Sequence, residues 1–282
     1  MKSFSEISDF EVRDEYNNLL IVDSLNLAFR YKHGGGSKSF SHRYVDTVRS
    51  LAKSYRAKLV IVLGDGGSNY RKSIYKEYKA NRKALQEGQT EAEKLEFEEF
   101  ISEYEKSIEL ITEIYPVIKY IGVEADDLAA YLCNKLEKSF EHIWLVSSDK
   151  DWDLLLSDNI SRFSFVTRKE YTSDTWDCVV PLVNYVDLKV LMGDRGDNVP
   201  GVPGVGEKRA ANLISTYGNT FDIYDILPIE NSKYKYITEL NKFKEQILVN
   251  HMLMDIKTYC ADAIGDNITD LDDRIVKILG AI

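Results

Sequence analysis

The chain has 282 residues with a formal net charge of −10, 44% hydrophobic and 29% charged. That balance is ordinary for a soluble globular protein of one large domain or two modest ones. Three widely spaced cysteines suggest neither a disulfide framework nor a zinc site, and no apolar run approaches the roughly 18 residues of a membrane span. The expected setting is a reducing cytoplasm.

Residues 1–17 are too acidic and polar for a signal peptide and are expected to form a flexible tail. LLIV at 19–22 predicts a buried strand and runs into Asp23. Residues 30–58 then hold eight Lys or Arg against one acid, Asp46, with Arg30 and Lys32 at their head. Within them, 43–55 predicts a helix with Val45, Val48, Leu51 and Ala52 on one face. LVIVL at 59–63 predicts the second strand and leads to Asp65. Residues 70–113 break the rhythm, being long, charged and poor in strand signals. They predict a helical insertion projecting from the core, with Thr90 capping a long helix. Its first part, 71–83, holds six Lys or Arg and one acid; residues 87–113 hold ten Glu and two Lys. Such segregation puts a local positive field on an acidic body.

VIKYIGV at 117–123 predicts a third strand running into Glu124, Asp126 and Asp127, and 128–140 a helix. IWLVSS at 143–148 predicts a fourth strand that enters Asp149 and Asp151. Residues 185–222 read as helix, Gly/Pro hairpin, helix, and the remainder as helices that can return to the core. Alternating buried strands and helices predict an α/β fold with a mostly parallel central sheet flanked by helices. The expected organisation is a core at 18–184, with an arch at about 70–113, and a C-terminal helical region at 185–282.

The acids carry the main functional signal. In an open parallel sheet the carboxyl ends of the strands share one edge, where ligands bind. An acid at one strand exit is an ordinary turn or helix-capping residue. Acids at four such exits predict a shared cluster, and clustered carboxylates need cations to stay ionised together. Oxygen-only ligation favours Mg²⁺ or Mn²⁺, which can activate water and stabilise the leaving oxygen of a phosphodiester. Asp194 and Asp197, at i and i+3, are expected at a helix end with both carboxylates on one side. After them, Gly201, Gly204 and Gly206 permit a tight turn with exposed N–H groups, while Lys208 and Arg209 open the next helix. A hairpin of this kind grips phosphate backbone without reading bases. Lys189, before Asp194, is a further candidate contact. No phosphate-binding glycine motif follows any strand, which disfavours a nucleotide-binding enzyme.

In order, IVDSLN (21–26), VLGD (62–65), EYKANR (77–82), GVEADD (122–127), SSDKDWD (147–153), MGDRGDN (192–198) and GVPGVGEKR (201–209) resemble the flap endonuclease, or 5′-nuclease, family. The resemblance is greatest to stand-alone phage-type 5′-3′ exonucleases and spans about residues 19–260. It implies a PIN-like nuclease core, a helical arch and a helix–three-turn–helix that holds duplex DNA. It implies cutting of 5′ flaps and 5′ ends by a monomer using two or more Mg²⁺. One metal group would be Asp23, Asp65, Glu124, Asp126 and Asp127, and the second Asp149, Asp151, Asp194 and Asp197. Asp153 matches a position that is either ligand or structural. Lys79 and Arg82 match the basic pair on the scissile phosphate, and Tyr78 an aromatic that stacks on a base. The hairpin would bind K⁺ through backbone carbonyls, Val202 and Val205 among them. Two departures stand out: Ser24 replaces the usual glycine, and Gly34, Gly35 and Gly36 form a run. A PIN-type ribonuclease and a non-catalytic junction-binding protein remain the alternatives.

Overall fold

A computed structural model describes residues 17–33 and 39–281, with the backbone alone at 33 and 83–86. The tail at 1–16 and the glycine run at 34–36 lie outside the described residues. The elements in order are β1 (Asn18–Asp23), α1 (Ser24–His33), α2 (Ser41–Ser54), β2 (Ala57–Leu63), α3 (Asn69–Ile74), α4 (Ala80–Glu87), α5 (Glu91–Thr112) and β3 (Val117–Ile118). There follow α6 (Ala125–Leu136), β4 (His142–Val146), a 3-10 turn (Lys150–Leu155), β5 (Ile160–Ser164), β6 (Lys169–Tyr171), α7 (Tyr185–Met192) and α8 (Glu207–Tyr217). The C-terminal helices are α9 (Thr220–Ile226), α10 (Lys235–Lys242), α11 (Lys244–Met254), α12 (Ile256–Ile264) and α13 (Ile268–Leu279).

One sheet runs in the order β3-β2-β1-β4-β5-β6, parallel throughout except for the β5–β6 edge pair. Alternation along β1 divides the core: Leu19 and Ile21 pack with α6, α12 and α13, and Leu20 and Val22 with α1, α2 and α5. The expected third strand is only two residues long. After Ile118 the chain leaves the ladder: the Gly122 N–H donates to the Gly66 carbonyl (2.8 Å), the Gly66 N–H to the Val123 carbonyl (2.9 Å), and Gly122 adopts φ +79. A Cβ at Gly66 would lie 1.9 Å from the Tyr120 carbonyl oxygen. The β5–β6 pair was missed because its short, polar-mixed strands carry a weak period-two signal.

The insertion at 70–113 differs from the expected projection. Thr90 does cap α5, in a full capping box with Glu93. The C-terminal half of that helix, however, lies in the core through Phe100, Tyr104, Ser107 and Ile111. Ser24 explains part of the docking, since its hydroxyl meets the Tyr104 hydroxyl at 2.6 Å. The C-terminal region likewise divides. Residues 185–247 build a separate apolar cluster with Val180, whereas α12 and α13 return to the sheet through Ile256, Cys260, Ile264, Leu271 and Ile275.

The junction between α7 and the hairpin is a close backbone crossing. Gly193 adopts φ +69, and a Cβ on Gly201 would lie 1.9 Å from the Met192 carbonyl oxygen. Gly201→Ala is expected to cost more than about 2 kcal/mol in urea unfolding, because backbone must shift. Gly206→Ala, whose Cβ would meet nothing within 4 Å, is expected to stay within about 0.5 kcal/mol of the native chain.

Candidate active site

The parallel register brings the strand exits to one edge. Asp23 ends β1, where its carboxylate accepts bonds from the Ser147 hydroxyl (2.9 Å) and the Asn26 N–H (3.2 Å). Burial pushes its pKa up to about 7 against those bonds, with Asp149 and Asp65 adding repulsion. Asp65, just past β2, accepts the Gly67 N–H at 2.8 Å. Asp126 is half-buried and accepts the Trp152 indole N–H at 2.6 Å, and its pKa is raised well above the usual carboxylate range by desolvation, then by Asp149 and Glu124. Asp149 caps the 3-10 turn by accepting the Asp151 N–H, and Asp151 accepts the Lys189 ammonium.

Glu124 occupies the N-cap of α6 but makes no capping bond. Its carboxylate instead takes Arg71 (2.7 Å), the Tyr78 hydroxyl (3.2 Å) and the Lys79 ammonium. Asp127 is differently placed from the expected metal ligand. It is fully buried, and both its oxygens are occupied by Arg71, at 2.7 and 2.8 Å. Asp153 accepts the fully buried Arg162 at 2.7 Å, and Arg162 in turn donates to the Ser147 carbonyl.

Asp194 and Asp197 do not share a helix face. They sit in a tight turn closed by paired bonds between Asp194 and Val199, 2.7 and 2.9 Å. Asp194 Oδ1 accepts the N–H groups of Gly196 and Asp197, and its Oδ2 lies 3.8 Å from Lys189. Asp197 faces the arch base, accepting Arg82 (2.7 Å) and the Tyr78 hydroxyl (3.0 Å), with Lys79 at 3.7 Å. Lys79 is held there with φ +57, a conformation rare for a side-chain-bearing residue, and its N–H donates to the Asp197 carbonyl.

Two expected DNA contacts are thus placed elsewhere. Tyr78 is 4% exposed and hydrogen-bonded on two carboxylates, so its ring is not presented to a base. Lys189 lies among the acids, its pKa raised by Asp151 against the opposing effect of burial. Lys208 and Arg209 are exposed at the start of α8 as expected, behind Gly206 at its N-cap. Arg209 also donates to the Gly204 carbonyl (2.6 Å), while the Val202 carbonyl accepts the Val205 N–H (2.9 Å). On α1, Arg30 stacks over Phe165 at 4.4 Å and Lys32 over Phe97 at 4.7 Å.

Arg71 is the residue that sequence reasoning misread. It counts toward the positive field expected over 71–83, yet it is 2% exposed. The available signal was its place on a stripe with Ile74, Tyr75 and Tyr78, at i, i+3, i+4 and i+7. Among the described residues, no three His, Cys, Asp or Glu side chains converge to hold one ion in this geometry. The donor chemistry still fits divalent cations. The set is all oxygen, its members oppose one another's ionisation, and lysine ammoniums already bridge the acids from both sides.

The description "5′-3′ exonuclease, N-terminal resolvase-like domain" matches residues 18–179, and "5′-3′ exonuclease, C-terminal SAM fold" matches 180–272. The chain belongs to the 5′-3′ exonuclease family. This 5′-nuclease is 44% identical over 264 residues to the flap endonuclease of Escherichia phage T5, covering 92% of this chain and 90% of the relative. It superposes with a TM-score of 0.88 on a crystal structure of bacteriophage T5 flap endonuclease, described as a pseudo-enzyme–product complex with DNA and metal ions. The identity there is 42%, over 93% of this chain and 98% of the other. A T5 5′-exonuclease structure with bound divalent zinc matches with a TM-score of 0.87 and 44% identity, over 93% and 98% of the two chains. The 5′-nuclease therefore combines a resolvase-like α/β domain with a SAM-like helical unit. Among its described residues, no helix is long and apolar enough to cross a membrane.

Proposed function

We propose that this 5′-nuclease hydrolyses DNA phosphodiesters where a 5′ single strand meets duplex, at flaps and at 5′ ends, in the cytoplasm of a phage host. The observation that carries the reading is one continuous edge. Asp23, Asp65, Asp126, Asp149 and Asp151 line it, Glu124 and Asp197 join it to Lys79 and Arg82, and the glycine hairpin follows within a few residues of Asp197.

The acids Asp23, Asp65, Glu124, Asp126, Asp149, Asp151, Asp194 and Asp197 would hold two or more Mg²⁺, with Mn²⁺ able to substitute. Bound there, such ions supply an activated water and offset charge on the leaving oxygen. The chain's own residues do the rest. Gly204, Gly206, Lys208 and Arg209 grip the duplex backbone, with a K⁺ on hairpin carbonyls as the accompanying cation. Arg30 and Lys32 extend the positive surface. Lys79 and Arg82 can turn from their carboxylates to the scissile phosphate, where they offset negative charge that develops in the transition state.

Cleavage of a labelled 5′ flap is expected with Mg²⁺, to be abolished by chelator, and to return when Mg²⁺ or Mn²⁺ is restored. Product mapping on flap, nicked and single-stranded DNA checks this. Mg²⁺-independent binding of junctions without any cleavage would sink the reading.

A further inference from the structure

The hairpin that grips duplex and the carboxylates that carry the chemistry belong to different packing units, so their separation must be set by something rigid. The turn at 194–199 is one tie: the Asn198 amide donates to the Glu77 carbonyl (2.8 Å) and the Asn81 amide to the Arg195 carbonyl (2.9 Å). These bonds are exposed. A more deeply buried tie runs through α11.

Asn250, 0% exposed, donates from one amide nitrogen to two carbonyls, Val190 at 2.9 Å and Pro200 at 2.8 Å. Those carbonyls flank the turn, one on α7 and one at the mouth of the hairpin. Two carbonyls can be met only by N–H donors, which fixes the orientation of the amide, and its Oδ1 accepts the Gln246 amide at 3.0 Å. Three residues on, about 4.5 Å along the helix axis, the Leu253 carbonyl accepts Arg71 Nε at 2.8 Å. The other Arg71 nitrogens hold Glu124 and Asp127. Leu253 and Met254 also pack against Tyr78 and Val199. One helix thus joins the mouth of the hairpin to the Glu124 carboxylate through hydrogen bonds that are buried or part-buried.

We propose that Asn250 is a positioning residue that sets the cut-site register, with α11 as the strut between duplex grip and carboxylates. The inference rests on the nuclease reading above.

The test is single-turnover cleavage of a 5′-labelled flap, resolved at single-nucleotide length, for the native chain, Asn250→Ala and Gln246→Ala. The half-buried Gln246 keeps the test open if Asn250→Ala does not fold. Fluorescence anisotropy with the same flap in chelator measures binding. Asn250→Ala removes two donated hydrogen bonds and is expected to raise the share of off-register products by about tenfold or more, tenfold being the scale of a single one. Gln246→Ala is expected to do so by a smaller factor, and binding should change less than about twofold in both. A purely structural role would lower rate or yield while leaving product lengths unchanged. Native product lengths in both variants overturn the inference. A native chain that cuts nothing overturns the nuclease reading and this inference with it.

Discussion

Lys79→Ala is expected to slow single-turnover cleavage of a 5′-labelled flap by about 10²–10³-fold, the usual cost of removing one group that stabilises transition-state charge. Lys79 sits between Glu124 and Asp197, at the meeting point of the arch base and the acidic edge. Its ammonium pKa is raised by those acids against the opposing effect of burial, so it is fully charged at neutral pH. Its backbone is pinned in the left-handed region by the Asp197 carbonyl, which fixes where the side chain begins. The competing role is a counter-charge for Glu124 alone. In that case the variant would unfold at lower urea while its cleavage rate stayed near native. A rate within threefold of native removes Lys79 from the chemistry.

Arg71→Met is expected to destabilise the chain by about 3–5 kcal/mol, read as a lower urea midpoint in chelator, because it leaves Asp127 and Glu124 buried without their partner. Glu124 keeps Lys79 and Tyr78, but Asp127 has no other cation within ion-pair distance among the described residues. A second change, Asp127→Leu on the Arg71→Met background, removes the stranded carboxylate and should recover part of the loss. Similar volume and no buried charge often substitute for an ion pair at little cost. If the single variant unfolds within about 1 kcal/mol of native, the pair is not structural. Asp127 then returns as a candidate metal ligand.

These two cases show how far the chain was legible without its fold. The strand exits were readable because apolar β-branched runs followed by acids repeat four times, and a parallel sheet sends all such ends to one edge. The hairpin was readable because glycines at 201, 204 and 206 ahead of Lys208 and Arg209 admit few other backbones. Asp194 and Asp197 were placed in the right neighbourhood but in the wrong local structure. Their i, i+3 spacing suits a helix end, yet the turn-forming Gly196 and the positive φ of Asn198 close a turn instead.

What the amino-acid order determined by itself was local: which runs are strands, which residues carry charge, and which backbone positions need glycine. Tertiary structure decided which charges face each other. Arg71 and Lys79 are basic residues in the same stretch, yet one is sealed in the core against Asp127 and the other lies at the acidic edge. Tyr78 became a hydrogen-bond donor to carboxylates because α11 and Val199 close over its ring. Burial, not residue type, set these roles. Desolvation makes an unpartnered charge too costly to keep, so each buried ion is defined by the partner that long-range packing brings to it.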